Sequence, residues 1–474
     1  FIHEAWLDAT SDGKYSEEER IVAAPARGEL RGLFVDLWHK SRGAQEYWAA
    51  LDAKPETVEI EAAGPNCVEI CFKGWHRAAA GMDPWSFVAP RAWQYVLRVR
   101  AYAGSATLRV YHTFINTEDP LDIRVRSIGI KLPVVAGEAP RYAFGAAPAL
   151  RKDGGPQEDF YLVQEHWDSV LFERGGPMPA LKPEAGGDPA PLMGQYQGGT
   201  VLEKLPACER FANLSGPKAG LTIVFRDMEK LFPKELRLSG NDTWAYIWPA
   251  HKRPTKYEFF GGGQKSYMDL RQPNEVMYPD VALFKEKFPG VYNKWMVGQD
   301  SDWERYKNWP NRCNALGVAK THELLYDFHA GAFDPARAAA LGAAASDPVQ
   351  PYVTPQWYCW ETEAFGRMQP HDPQNFPRME GLFTAFMDWV YRHQNEWSHL
   401  WGIFDYGDMQ TYYDPRKANE KDYPVEALGP WGKLQGRYGW LNGEYNNDHD
   451  AFLQYFRTGR YADFKFAAAY AAHR

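Results

Sequence analysis

Between residues 404 and 450 the chain gathers side chains that can move protons and hold anions: Asp405, Tyr406 and Asp408, then Arg437, Tyr438, Asn442, Glu444, Asn446, Asn447 and His449. Tyrosine and histidine become proton carriers once neighbours tune their pKa values, and arginine or asparagine can neutralise a carboxylate on which negative charge develops. On that chemistry Tyr406 or His449 transfers the proton, Asn442 and Arg437 face the carboxylate, and Asp405 orients its neighbour. Such a mixed polar and aromatic set suits an elimination. Read instead as paired carboxylates, Asp405, Asp408 or Glu444 would suit acid/base hydrolysis of a glycosidic bond. A non-catalytic carbohydrate-binding protein is the third reading.

Each of these residues also has a plain structural role. Phe404-Asp-Tyr-Gly-Asp408 reads equally as a helix-terminating turn, with Gly407 at positive φ and Asp408 capping the next segment. His449 lies in Asn446-Asn-Asp-His-Asp450, a sequence suited to a helix start with Asn or Asp at the N-cap. Lys320 and His322 alternate on one face of the strand-like Gly317–His329 segment. His322 is either a second base or a satisfied sheet histidine, and Lys320 a substrate contact. Trp357, Trp360, Trp401 and Trp440 offer flat faces for sugar rings or for a core, and Glu444 and Asn446 offer polar contacts to a bound saccharide.

The elements that must position these groups change character along the chain. Val68, Ile70 and Phe72, then Leu97, Val99 and Ala101, then Val110, His112 and Phe114 alternate with polar residues, and Ala103-Gly-Ser105 separates two of the runs. Period two between turn residues predicts antiparallel strands with one buried face. Residues from about 150 to 200 are loaded with Gly and Pro and are expected to form long connecting loops. Further strands are expected at Leu221–Phe225, Thr243–Trp248 and Gly317–His329. Residues 1–330 thus read as a β-sandwich region of one large or two stacked sandwiches.

From residue 331 the texture is helical. Asp334-Pro335 opens an Ala-rich run that Asp347-Pro348 closes. A second helix is expected from Pro377, with Met379, Leu382, Phe383, Phe386, Met387, Trp389 and Val390 forming a stripe that must pack on another helix. Two more are expected at about 446–458 and 461–473, the last with Phe464, Phe466, Ala467, Tyr470 and Ala471 awaiting a partner. The fold class is α+β multidomain, with antiparallel strands first and a helical domain at 331–474.

Composition narrows the function classes. The 474 residues exceed the ~250–300 at which one core stops growing, so at least two domains are expected. Aromatic content is 15%, with 19 Trp, 27 Tyr and 26 Phe, which suits clefts that stack sugar rings as well as an aromatic core. A net charge of −8 leaves no global basic field for nucleic acid. No run of ~18 apolar residues, as a spanning helix needs, occurs, so a membrane partner is not expected. The five cysteines, Cys67, Cys71, Cys208, Cys313 and Cys359, show neither zinc-ligand spacing nor a disulfide framework. No cofactor is required by the chemistry above. The acidic residues Asp405, Asp408, Glu444, Asp448 and Asp450 could take Ca²⁺, although no DxDxDG-type loop is present. The chain begins at Phe1 without an initiator Met or leader and ends just after a helix, so a processed or partial chain is expected.

Several stretches resemble the YetA-like group, to which the exo-rhamnogalacturonan lyases of polysaccharide lyase family 26 belong. They are Gly220–Asp227 with Phe232-Pro-Lys-Glu-Leu236, Gly317-Val-Ala-Lys-Thr-His-Glu323, Phe365-Gly366 with Asp372-Pro373 and Phe376-Pro377, and Phe404–Asp408. Tyr438-Gly-Trp440 with Asn442 and Glu444, and Phe456-Arg-Thr-Gly-Arg460, complete the series. Looser matches are Gly74-Trp-His-Arg77, Val110–Phe114 and Arg126-Ser-Ile-Gly129. The resemblance implies a β-sandwich followed by an (α/α) toroid, here incomplete. It also implies β-elimination across a 4-linked uronate of a rhamnogalacturonan-like acidic polysaccharide, and a secreted or periplasmic setting. Where the family's pattern runs Trp-Asp-Asn-Ser-Glu, this chain has Trp440-Leu-Asn-Gly-Glu444.

Overall fold

The computed structural model describes residues 2–39, 43–52, 54–78, 90–119, 123–146, 150–153, 158–166, 169–175, 200–249, 316–392 and 447–473. The chain divides into two compact units, Phe1–Pro348 and Val349–Arg474.

In the first unit a short hairpin of β1 (Ala5–Trp6) and β2 (Arg20–Val22) precedes a long series of strands. These are β3 (Gly32–His39), β4 (Gly43–Trp48), β5 (Thr57–Ala63), β6 (Cys67–Ala78), β7 (Arg91–Tyr102), β8 (Thr107–Ile115) and β9 (Ile123–Pro133). There follow β10 (Arg141–Ala146), β11 (Leu150–Asp153), β12 (Asp159–His166), β13 (Ser169–Gly175), β14 (Thr200–Leu205) and β15 (Cys208–Ser215). The series ends with β16 (Ala219–Phe225), β17 (Lys234–Ser239), β18 (Asp242–Trp248) and β19 (Ala319–Ala330).

Every pairing among them is antiparallel, and they fall into two rows. One runs β5-β6-β7-β8-β19-β16-β15-β10-β11. The other runs β4-β3-β9-β18-β17-β12-β13-β14. A short pairing of Tyr47 and Trp48 with Ala78 and Arg77 links the rows at one end. Aromatic rings close the space between them: Phe144 on β10 lies 5.3 Å from Phe172 on β13, and Tyr142 lies 6.0 Å from Phe160 on β12. The unit is therefore a large antiparallel β-sandwich.

Alternation in the sequence explains which side chains fill it. On β8 Val110, His112 and Phe114 are buried while the residues between them are not, and β19 lays Leu324, His322 and Lys320 directly opposite those three. The opposite face of the row to which they belong carries charges that pair across strands. Glu61 meets Arg98 at 2.6 Å, Glu69 meets Arg100 at 2.6 Å, and Glu323 meets both Arg109 at 3.0 Å and Arg226 at 2.8 Å.

Helix α1 (Pro335–Ser346) covers part of this outer face. Asp334 caps it by accepting from the amides of Ala336 and Arg337, and Ala338 and Ala345 pack on Phe211, Val224 and Leu325. Gly342 sits where an added Cβ would lie 2.5 Å from the carbonyl oxygen of Glu209, so the helix approaches β15 more closely than any side chain permits. Two sequence expectations are corrected here. The strand-to-helix change at residue 331 is not the unit boundary, because α1 buries its small-residue face on the sandwich and the division follows Pro348. Residues 150–175 are not loop: β11, β12 and β13 occupy most of them. In β12 and β13, Phe160–Val163 and Val170–Phe172 are buried without alternation, as both faces are covered, so the period-two signal is lost beneath the Gly and Pro around them.

In the second unit a five-residue π-helix, Trp357–Glu361, is followed by α2 (Pro377–Arg392), α3 (Asn447–Thr458) and α4 (Tyr461–His473). Gly459, at φ +69°, ends α3, with its amide donating to the carbonyl of Tyr455 at 2.7 Å, and lets the chain turn back into α4. Met387 of α2, Ala451 of α3 and Phe466, Ala467 and Tyr470 of α4 form one buried cluster. Helix α4 thus finds partners within the chain, contrary to the expectation that it waits for one. The expected stripe on α2 is only partly used. Met387 is buried, whereas Met379, Leu382, Phe383 and Phe386 are exposed.

Candidate active site

The two units carry histidines in opposite physical settings. In the sandwich His76 on β6, His112 on β8 and His322 on β19 are all 0–1% exposed. The rings of His76 and His112 are 6.5 Å apart, His112 pairs in register with His322, and His322 stacks on Phe114 at 5.9 Å. Among the described residues neither ring nitrogen of His112 or of His322 has a hydrogen-bond partner, and His76 uses only Nδ1, toward the carbonyl of Trp93 at 2.7 Å. Burial drives His76 down to about 4 and His112, which also feels His76, down to about 3; burial and the charges of Lys234 and Lys320 take His322 well below its ordinary value. Beside them Lys234 is wholly enclosed, donating to the carbonyls of Leu231, Pro233 (3.2 Å) and Ile247 (2.9 Å), and burial lowers its pKa strongly. These rings are neutral at physiological pH and reach no solvent. His322 thus lies buried in the sheet with neither ring nitrogen bonded among the described residues, unlike the satisfied sheet histidine considered in the sequence, and Lys320 lies on the same strand.

The second unit holds the other arrangement. His371 precedes α2 and is exposed, with its Nδ1 2.9 Å from Oε2 of Glu380 in the first turn of that helix. The Glu380 side chain is 3% exposed. Its Oε1 accepts from the amide of Asp372 at 3.3 Å and from Nη2 of Arg457 at 2.5 Å. Burial by itself would raise the Glu380 carboxyl, but the bonds from His371 and Asp372 and the Arg457 charge outweigh it, leaving the group below its ordinary value. Arg457 also donates to the carbonyl of Gln369 at 2.8 Å and to Oε1 of Gln454 at 2.9 Å, while its own carbonyl accepts from the amide of His371 at 2.8 Å. Local sequence makes this possible. Asp372 accepts from the amide of Asn375, turning the chain into Pro377 at the helix start, and so returns Glu380 beneath His371.

Exposed aromatic faces belong to the same unit. Phe365 stacks on Phe456 at 4.8 Å and lies 6.2 Å from the ring of His449, and the Arg457 guanidinium lies 5.4 Å over the Phe383 ring. Trp357 and Trp360 in the π-helix are 45% and 55% exposed. His449 occupies the first turn of α3 with its side chain half exposed and Nδ1 3.8 Å from Asp450. Of the residues singled out in the sequence, Trp357, Trp360 and His449 thus share this unit, and Lys320 and His322 belong to the sandwich. Asp405, Tyr406, Asp408, Arg437, Trp440, Asn442, Glu444 and Asn446 lie outside the described residues.

Sequence reasoning missed His371, Glu380 and Arg457. The available signal was a His-Asp-Pro turn nine residues ahead of a Glu in the first helical turn, but the third member is far along the chain and only folding brings it in. Among the described residues no group of three or more His, Cys, Asp or Glu side chains could hold a metal ion, and Cys67, Cys71, Cys208 and Cys359 are free thiols. No described helix is long and apolar enough to cross a membrane.

The class that the fold defines is a large antiparallel β-sandwich with a separate helical unit. Residues 29–142, about a quarter of the chain and spanning β3 to the start of β10, match the family model described as the PcRGLX-like protein central beta sandwich domain, of a rhamnogalacturonan lyase-related family. No curated protein matches the sequence. Solved structures with detectable likeness include a putative aldose 1-epimerase from Klebsiella pneumoniae, at 9% identity and TM-score 0.24, covering 65% of this chain and 62% of that one. They also include the GH36 alpha-galactosidase AgaA from Geobacillus stearothermophilus, at 7% identity and TM-score 0.26, covering 67% of this chain and 33% of that one. A putative aldose 1-epimerase from Escherichia coli has 10% identity and TM-score 0.24, covering 63% and 84%. The chain spans less than two thirds of the first two of these proteins. Scores of this size carry no argument about fold or function.

Proposed function

We propose that the protein is a polysaccharide lyase that cleaves a 4-linked uronate in a rhamnogalacturonan-like acidic polysaccharide by β-elimination. The observation that carries this reading is the match of residues 29–142 to the central sandwich domain of a rhamnogalacturonan lyase-related family. Ordered motifs from Gly220 to Arg460 that resemble exo-acting members of polysaccharide lyase family 26 support it. So does the order of a sandwich before helices, with α2, α3 and α4 read as the start of an (α/α) toroid.

Elimination requires a base for the C5 proton, a group to neutralise the C6 carboxylate, and a proton for the departing C4 oxygen. Tyr406 and His449 are the proposed proton carriers, with Arg437 and Asn442 at the carboxylate, Asp405 orienting, and Trp357, Trp360, Trp440, Glu444, Asn446 and Lys320 as substrate contacts. No cofactor enters this reading, and a secreted or periplasmic setting follows from the size of the polymer. Incubation with rhamnogalacturonan, other pectins, ulvan and glucuronate-containing gums tests it. Ultraviolet absorbance of an unsaturated uronate is expected on rhamnogalacturonan. New reducing ends without that absorbance would replace elimination by hydrolysis.

A further inference from the structure

Resting on the elimination reading above, we infer that His371, held by Glu380, is a catalytic base of this protein. Glu380 is ionised and can only accept, so Nδ1 of His371 carries the proton it shares at 2.9 Å. In the neutral ring the basic lone pair is then on Nε2. Among the described residues nothing bonds Nε2, and the residue is exposed. A histidine fixed in one tautomer by a buried carboxylate, with its other nitrogen free toward solvent, is the arrangement general bases require.

The surroundings distinguish this pair from an ordinary surface contact. Glu380 is enclosed and locked from three sides by His371, the Asp372 amide and Arg457, so the carboxylate cannot swing away to water. The backbone amide of His371 is itself bonded to the carbonyl of Arg457, which fixes the origin of the side chain. In the same unit Phe383 lies exposed under the Arg457 guanidinium and Phe365 lies exposed on Phe456, the residue before Arg457, and such rings suit the apolar side of a sugar ring.

In the reaction Nε2, in place of Tyr406 or His449, takes the proton from C5 of the uronate. The C5–H electron pair becomes the C4=C5 double bond, the C4–O bond breaks, and its electrons leave with the oxygen. The imidazolium then passes its proton to that oxygen, and the ring returns to its neutral form. Glu380 stabilises the charged ring between the two transfers and acts as a positioning residue.

The test uses His371→Ala and His371→Gln in the full chain on rhamnogalacturonan, with ultraviolet absorbance as readout. Both variants are expected to lose at least about 100-fold in kcat, with KM changed by less than about threefold and unfolding temperature unchanged in His371→Gln. Added imidazole should restore part of the His371→Ala rate. Glu380→Gln should lower kcat while leaving KM within about threefold, a split that a merely structural tie would not produce. A His371→Gln enzyme within about threefold of the wild-type kcat overturns the inference and leaves the elimination reading standing. Wild-type protein that forms no unsaturated product on any of the polymers overturns that reading itself, and this assignment with it.

Discussion

The sandwich hides three of its histidines, and the helical unit presents His371 on a buried carboxylate. His76, His112 and His322 lie in a row of strands where burial holds them neutral and five of their six ring nitrogens have no partner among the described residues. His371 has Nδ1 tied to a buried carboxylate and Nε2 without a partner among the described residues, on a side chain that is 32% exposed. The lesson is that residue type does not separate a chemical histidine from a structural one; the partner and the access do. A buried imidazole without a carboxylate is driven away from the protonated state, whereas a carboxylate that accepts from Nδ1 fixes the tautomer and leaves the lone pair on Nε2.

The largest expected effect falls on the helical unit. Glu380→Ala removes the acceptor shared by His371, Asp372 and Arg457 and leaves the largely buried Arg457 with its charge uncompensated. A loss of about 3–5 kcal/mol is expected, read by denaturant unfolding. A loss below about 1 kcal/mol would mean that the network does not hold this unit together.

Next comes the pH response of the sandwich. Its histidines have folded pKa values near 4 for His76 and near 3 for His112, below the ordinary 6.5 of the unfolded chain. Between those limits the unfolded state binds more protons, so stability is full above about pH 6.5 and falls as the pH drops toward 4. His76 alone contributes on the order of 3 kcal/mol to this fall, by the conversion of pKa shift to free energy. Thermal unfolding at stepped pH measures it, and a flat profile from pH 7 to 4.5 would contradict the buried, neutral assignment.

The smallest effect sharpens the contrast. His112→Leu replaces an unpartnered buried ring with an apolar side chain and orphans no other group. It is expected to change stability by less than about 1 kcal/mol at pH 7, to lessen the loss toward pH 4, and to leave turnover intact. A comparable fall in turnover for His112→Leu and His371→Ala would erase the distinction between the two regions.

Much of the sandwich was legible because a strand with one covered face writes its own period. Val110, His112 and Phe114 announced β8 in this way. The capped start at Asp334-Pro335 and the stop at Thr458-Gly459 marked helices for equally local reasons. What failed was nonlocal. Strands β12 and β13 are covered on both faces, so their residues do not alternate; α1 joins the sandwich only because Gly342 lets it approach Glu209; and the exposed part of the α2 stripe has an amphipathic pattern without burial. The candidate site failed in the same way. Trp357, Trp360 and His449 were visible as residue types, but Arg457 is distant in sequence from His371 and Glu380, and no periodicity links them.

The central claim is that bond cleavage is an elimination, and the masses of the products from a defined rhamnogalacturonan oligosaccharide test it most directly. The two fragments are predicted to sum to the mass of the substrate, with the new non-reducing uronate unsaturated at C4=C5. Fragments that together carry one additional water, with that uronate saturated, would contradict the account.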